Sequence, residues 1–154
     1  MNIRRVGRIS LRCLMLACAL LVMTDQTDPV YAQAVTDGLI LESLSGQPGD
    51  ATKGRLIVLS RQTGLCILCH SGPFPEERFQ GNLGPDLGVS AQALSAGQLR
   101  AHIVDASQFN PDSIMPSYYR KEPFRRELPQ YVGKSILSAQ EIEDVVAFLV
   151  SLKP

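Results

Sequence analysis

The sequence predicts an all-α domain of three to four helices joined by long irregular loops. Three observations point there. The periodic segments repeat apolar residues at three- and four-residue spacing, no stretch alternates convincingly as a strand would, and about half of the chain reads as loop. With no tryptophan and only 6% aromatic residues, such a domain has a poor core of its own and calls for a large apolar group to complete it.

Taken in order, residues 33–48 read as an extended N-terminal arm ending in the turn-forming SGQPGD. Asp50 is a plausible N-cap for a first helix, ATKGRLIVLSRQ, with Leu56, Ile57 and Leu59 as its apolar face and Gly64 closing the segment. CILCH follows directly. Residues 71–90 contain Pro73, Pro75 and Pro85 together with Gly72, Gly81, Gly84 and Gly88, and so read as a long irregular loop, a length usually reserved for function or for wrapping something. Leu99, His102, Ile103 and Ala106 share one face of a second helix over 95–107, whose apolar face Phe109 extends. Pro111, Pro116, Pro123 and Pro129 exclude a long helix between Asn110 and Gly133. Ser138 and Glu141 form a capping box for the last helix, where Ile142, Val145, Val146 and Leu149 make a single stripe.

The start of the chain reads differently. Arg4, Arg5, Arg8 and Arg12 precede CLMLACALLVM, eleven residues without charge. That is too short for a bilayer-spanning helix, which needs ~20 residues, and has the form of a signal peptide, with an uncleaved anchor as its rival. Val30 and Ala32 in PVYAQA occupy the positions a signal peptidase reads, so residues 1–32 are expected to be removed, with a cut after Ala34 as second choice. Removal leaves 122 residues with eleven Lys and Arg against thirteen Asp and Glu. No basic excess remains for nucleic acid or for an anionic membrane surface, so neither is expected as a partner after processing.

Of the four cysteines, Cys13 and Cys18 leave with the leader, and Cys66 and Cys69 are too close together to staple a fold. Cysteine, two residues, cysteine, histidine is the attachment pattern of haem c: two thiols about one turn apart add to the vinyl groups and the next imidazole, His70, reaches the iron. A redox dithiol wants a βαβ context, which is absent, and a zinc site wants two more ligands where only His102 is on offer. One covalent haem c is therefore the expected cofactor.

The sixth iron ligand follows by elimination. Met1, Met15 and Met23 lie in the leader, which leaves Met115, in the proline-bounded loop NPDSIMPSY, 45 residues after His70. The alternatives are a core role for Met115 and ligation by His102, whose place on an apolar stripe also suits a satisfied interior or edge histidine. Arg120, Lys121, Arg125 and Arg126 form a basic cluster after the methionine, readable as a solvated loop or as a steering surface.

A helix containing Gly54, CILCH, GNLGPDL, NPxxxMPxY and IEDVVAFLxxLK, in that order, resembles class I cytochrome c, and within it the SoxX family, the mono-haem subunits of SoxAX complexes in periplasmic sulfur oxidation. The similarity runs from about Leu44 to Lys153, and SGQPGD and LRAHIVDASQFNPDS add to it. It implies a class I cytochrome c fold over 49–154, thioether bonds at Cys66 and Cys69, iron ligation by His70 and Met115, and a hydrogen bond from the His70 ring to the carbonyl of Pro85, which fixes the imidazole and raises its basicity. It further implies a close crossing of the first and last helices with Gly54 against Phe148. As partners it implies a SoxA-type cytochrome subunit in a heterodimer, a SoxYZ-type carrier reached through that complex, and a downstream cytochrome c acceptor. The SoxA-type subunit carries the sulfur-transfer cysteine of L-cysteine S-thiosulfotransferase. This chain has no cysteine beyond the haem pair once the leader is removed, so no catalytic nucleophile is expected in it and its role is electron transfer. A free periplasmic shuttle and, in another class, a haem-based ligand sensor are the alternatives; the sensor requires an open sixth position.

Overall fold

The computed structural model describes residues 37–120, 129 and 132–154. The expected leader, most of the basic cluster (Lys121, Arg125 and Arg126) and Pro123 lie outside the described residues. Four α-helices appear: α1 (Ala51–Leu59), α2 (Leu87–Ala93), α3 (Ala96–Asp105) and α4 (Ala139–Ser151). Short 3-10 turns occupy Cys66–Leu68 and Ala106–Gln108, and the described residues contain no extended strand. The all-α expectation therefore holds, and among the described residues no helix is long and apolar enough to cross a membrane.

Each helix starts where a side chain can take up its free N–H groups. Asp50 accepts from the backbone N–H of Thr52 and Lys53, while Ser138 and Glu141 close a reciprocal capping box on α4. Ser95 and Gln98 form a second capping box on α3, a signal that the hydrophobic pattern alone does not carry. α1 stops at Leu59, short of the expected Gln62, because the Ser60 hydroxyl accepts from the N–H groups of Gln62 and Thr63 and turns the chain.

The core lies around α4, whose Ile142, Val145, Val146 and Leu149 are all buried as the stripe predicts. The expected face of α1 holds at Ile57 and Leu59, which pack partly buried against the core, and needs correction at Leu56, which is 66% exposed; the fully buried residues are Gly54 and Val58. Gly54 makes the crossing. A β-carbon there would run into the Asp144 carbonyl and lie 2.9 Å from Cβ of Phe148, so only glycine lets the two backbones approach. Gly49 meets Glu143 and Ala147 in the same way, each one residue earlier on α4.

The N-terminal segment is fastened by charge. Arg100 forms a bidentate pair with Glu143 (2.7 Å for both contacts), and its third nitrogen donates to the Ile40 carbonyl at 2.6 Å. Glu143 also accepts from the N–H of Leu44 at 2.9 Å, so the buried acid has partners on two sides. Asp144 accepts from the N–H of Asp50 and from the Gln140 amide.

The segment 71–90 also departs from the loop expectation at its end. Asp86 caps α2 by accepting from the N–H groups of Gly88 and Val89, so helix begins within what glycine and proline density marked as irregular. The rest is ordered loop. Gln80 ties it together, accepting from the N–H of Gly72 and donating to the carbonyls of Phe74 and Glu77, while Phe74 is buried against Phe148 with ring centroids 6.0 Å apart.

Candidate haem-attachment site

The attachment segment is a single tight turn. Leu65 enters it in the left-handed region (φ 60°), and the N–H groups of Cys69 and His70 both donate to the Cys66 carbonyl, at 3.1 and 2.9 Å. Cys66 and Cys69 are thereby held on one turn, both half-buried and both free thiols, with Ile67 buried beneath them. Burial pushes the Cys66 thiol up to about 11, opposed by a hydrogen bond with Tyr118.

The loop 80–86 runs alongside this turn and fixes the imidazole. Gly81 N–H donates to the Ile67 carbonyl (2.9 Å), Gly84 N–H to that of Cys69 (2.8 Å) and Leu87 N–H to that of Ser71 (2.8 Å). Gly84 lies flat against the His70 ring, and a β-carbon there would stand 2.6 Å from Nδ1. Nδ1 of His70 donates to the Pro85 carbonyl at 2.7 Å, which leaves Nε2 as the nitrogen open to a metal. Asp86 anchors the far side: its second oxygen accepts from the Ser71 hydroxyl at 2.9 Å, and that bond, with the α2 cap and the nearby His70, holds its carboxyl below the usual range. The Pro85 carbonyl is thus set by a capped helix on one side and by the attachment turn on the other.

Met115 is half-buried and packs against the apolar core, with its N–H donating to the Ser113 hydroxyl. Its loop is held two and three residues on. Ser117 donates to the buried carboxylate of Asp105, and Tyr118 and Tyr119 donate their N–H groups to the carbonyls of Ile103 and Val104 on α3. The structure gathers Cys66, Cys69, His70 and Pro85 into one unit and ties the Met115 loop to it through the Tyr118 hydroxyl, which donates to the Gly64 carbonyl at 2.6 Å. His102 stands apart from that unit. Its Nδ1 donates to the Gln98 carbonyl of its own helix, and its ring stacks on Phe109 with centroids 4.0 Å apart and planes 2° from parallel.

The donor set fits haem c. Two free cysteines one turn apart suit two thioethers, and an imidazole with Nδ1 committed presents Nε2. Leu68, Leu83 and Ile114 are exposed large apolar side chains on the same segments, as the edge of a macrocycle would use. Among the described residues no cluster of three or more Cys, His, Asp or Glu side chains is arranged for a metal ion, so the zinc alternative finds no support there. The residues that sequence reasoning passed over are Gly84, Asp86, Asp105 and Tyr118. Asp86 had a local signal, as an acid followed by helix-forming residues; the others depend on partners distant in sequence.

No protein-family model matches this chain, and no curated protein matches it. Among solved structures it is similar to a chain of SoxXA from P. pantotrophus, at 32% identity and a TM-score of 0.73, over 81% of this chain and 97% of that one.

Proposed function

This chain belongs to the SoxX family of class I cytochromes c, the cytochrome subunits of SoxAX complexes, and from that premise we propose that it is the electron-accepting subunit in the oxidative coupling of thiosulfate to a carrier-protein cysteine. The attachment turn supports this reading: two thiols held on one turn beside an imidazole steered by the Pro85 carbonyl would suit one covalent haem. Cys66 and Cys69 would hold it through thioethers, and His70, through Nε2, and Met115 would ligate the iron. When bound, the haem supplies a one-electron ferric/ferrous couple. The hydrogen bond from His70 Nδ1 orients the ring and makes it a stronger ligand, while a thioether from Met115 favours the reduced iron over what histidine or thiolate would give.

The chain contributes no nucleophile of its own, since every cysteine outside the leader is used for attachment. The sulfur-transfer cysteine therefore belongs to a SoxA-type subunit, the acceptor cysteine to a SoxYZ-type carrier, and the electron leaves to a further cytochrome c. The Arg-rich leader, residues 1–32, would export the chain to the periplasm, where thiosulfate chemistry and haem attachment meet. Mixing the purified cytochrome with a SoxA-type subunit tests the proposal. Co-elution as a heterodimer, with the chain's haem reduced on addition of thiosulfate and carrier, is expected. A strictly monomeric cytochrome that stays oxidised would instead leave a free shuttle.

A further inference from the structure

Tyr118 is buried, with 4% of its surface exposed, and its hydroxyl sits between two parts of the site that lie 54 positions apart. It donates to the Gly64 carbonyl at 2.6 Å. The Cys66 thiol donates weakly to the same carbonyl, at 3.4 Å. Attachment changes this balance. A thioether sulfur has lost its S–H and can only accept, so after attachment Tyr118 is the remaining side-chain donor to Gly64 O.

The backbone of Tyr118 is fixed independently of its ring. Its N–H donates to the Ile103 carbonyl at 3.2 Å, and its carbonyl accepts from the N–H groups of Ile136 and Leu137, at 2.9 and 3.1 Å. Three residues earlier in the same loop stands Met115. On the other side, Gly64 is packed against Ile57 with no room for a side chain, and the next residue, Leu65, holds a left-handed conformation that a leucine adopts only when its surroundings impose it. The hydroxyl is thus the one side-chain bond described that joins the rigid entry to the attachment turn with the loop carrying Met115.

We propose that Tyr118 is a positioning residue that couples the two sides of the haem site, its hydroxyl setting the place of the Cys66 turn relative to the Met115 loop. The inference rests on the haem reading above and adds a residue to it. Removing the hydroxyl leaves the Gly64 carbonyl without that donor, while the loop keeps its α3 and Ile136–Leu137 contacts. Loss of one buried hydrogen bond with its acceptor left unsatisfied corresponds to roughly tenfold in the equilibrium that depends on it.

The test compares the full chain, matured with haem, with its Tyr118→Phe variant, which keeps the ring. Imidazole is titrated against the oxidised protein, following loss of the methionine-to-iron absorption band. Tyr118→Phe should carry one haem per chain and lose the band at about tenfold lower imidazole than the wild type. Val145→Ala, a truncation on α4 that leaves the Tyr118 hydroxyl in place, supplies the comparison for lost stability and should shift the midpoint far less. An unchanged midpoint in Tyr118→Phe overturns the proposal, and so does an equal shift in Val145→Ala, since Tyr118 would then act only through general stability. A wild type with no attached haem overturns the haem reading itself, an outcome separate from an unchanged midpoint.

Discussion

Asp105 shows how one side chain governs a loop. It ends α3, and its carboxylate accepts from the N–H and hydroxyl of Ser107, the hydroxyl of Ser117 and the amide of Gln108, with Arg120 at 3.8 Å. Burial alone raises its pKa, but the donors from Ser107, Ser117 and Gln108 outweigh it and the carboxyl is held below its ordinary value. A group whose folded pKa is depressed stabilises the fold above its unfolded pKa, about 3.9, and loses that contribution as pH falls through the lower folded value. Asp105→Asn should therefore be less stable than the wild type at neutral pH, and the gap should narrow as pH falls below about 4. Urea denaturation from pH 7 to pH 3 checks this, and a gap that does not change with pH would show that Asp105 does not titrate with folding. At this scale the turn that brings Cys66, Cys69 and His70 together was legible, because CILCH is contiguous in sequence and its spacing is local. Tyr118 with Gly64, and Arg100 with Glu143, were not, since their partners lie 54 and 43 positions away and nothing local marks them.

The elements follow the same division between local and distant causes. α4 was legible from end to end: Ser138 and Glu141 announce its start, and its apolar stripe is the buried one. α2 was hidden because its cap, Asp86, sits among Gly84, Pro85 and Gly88, whose usual meaning is loop. The face of α1 was misread at Leu56, which hydrophobicity weighs heavily, while Gly54, expected against Phe148 from the family resemblance alone, is the residue whose missing side chain makes the crossing. Gly54→Ala places a methyl group against the Asp144 carbonyl, a backbone atom that cannot swing aside. The variant should lose about 1–3 kcal/mol, an overpacking cost, against the slight gain an exposed helical glycine-to-alanine change would bring. Thermal unfolding should register it as a drop of at least several degrees for a domain of roughly 100 residues. An unchanged or higher Tm would mean that α1 and α4 do not cross at Gly54.

At the level of the whole molecule, short helices, ordered loops and few aromatic side chains add up to a domain whose attachment turn, imidazole and methionine loop are fastened more thoroughly than their own packing requires. Asp86 and Ser71 brace the Pro85 carbonyl, Asp105 and Ser117 brace the methionine loop, and Arg100 with Glu143 braces the arm that closes over α3 and α4. Such pre-organisation suits a redox site, where electron transfer is fastest when the ligands keep their places in both oxidation states. The most direct measurement is the mass, under denaturing conditions, of the processed chain produced in a host that matures c-type cytochromes. The account predicts the polypeptide plus one haem, reduced to the bare polypeptide when Cys66→Ala and Cys69→Ala are combined. A wild-type chain of unmodified mass would contradict it.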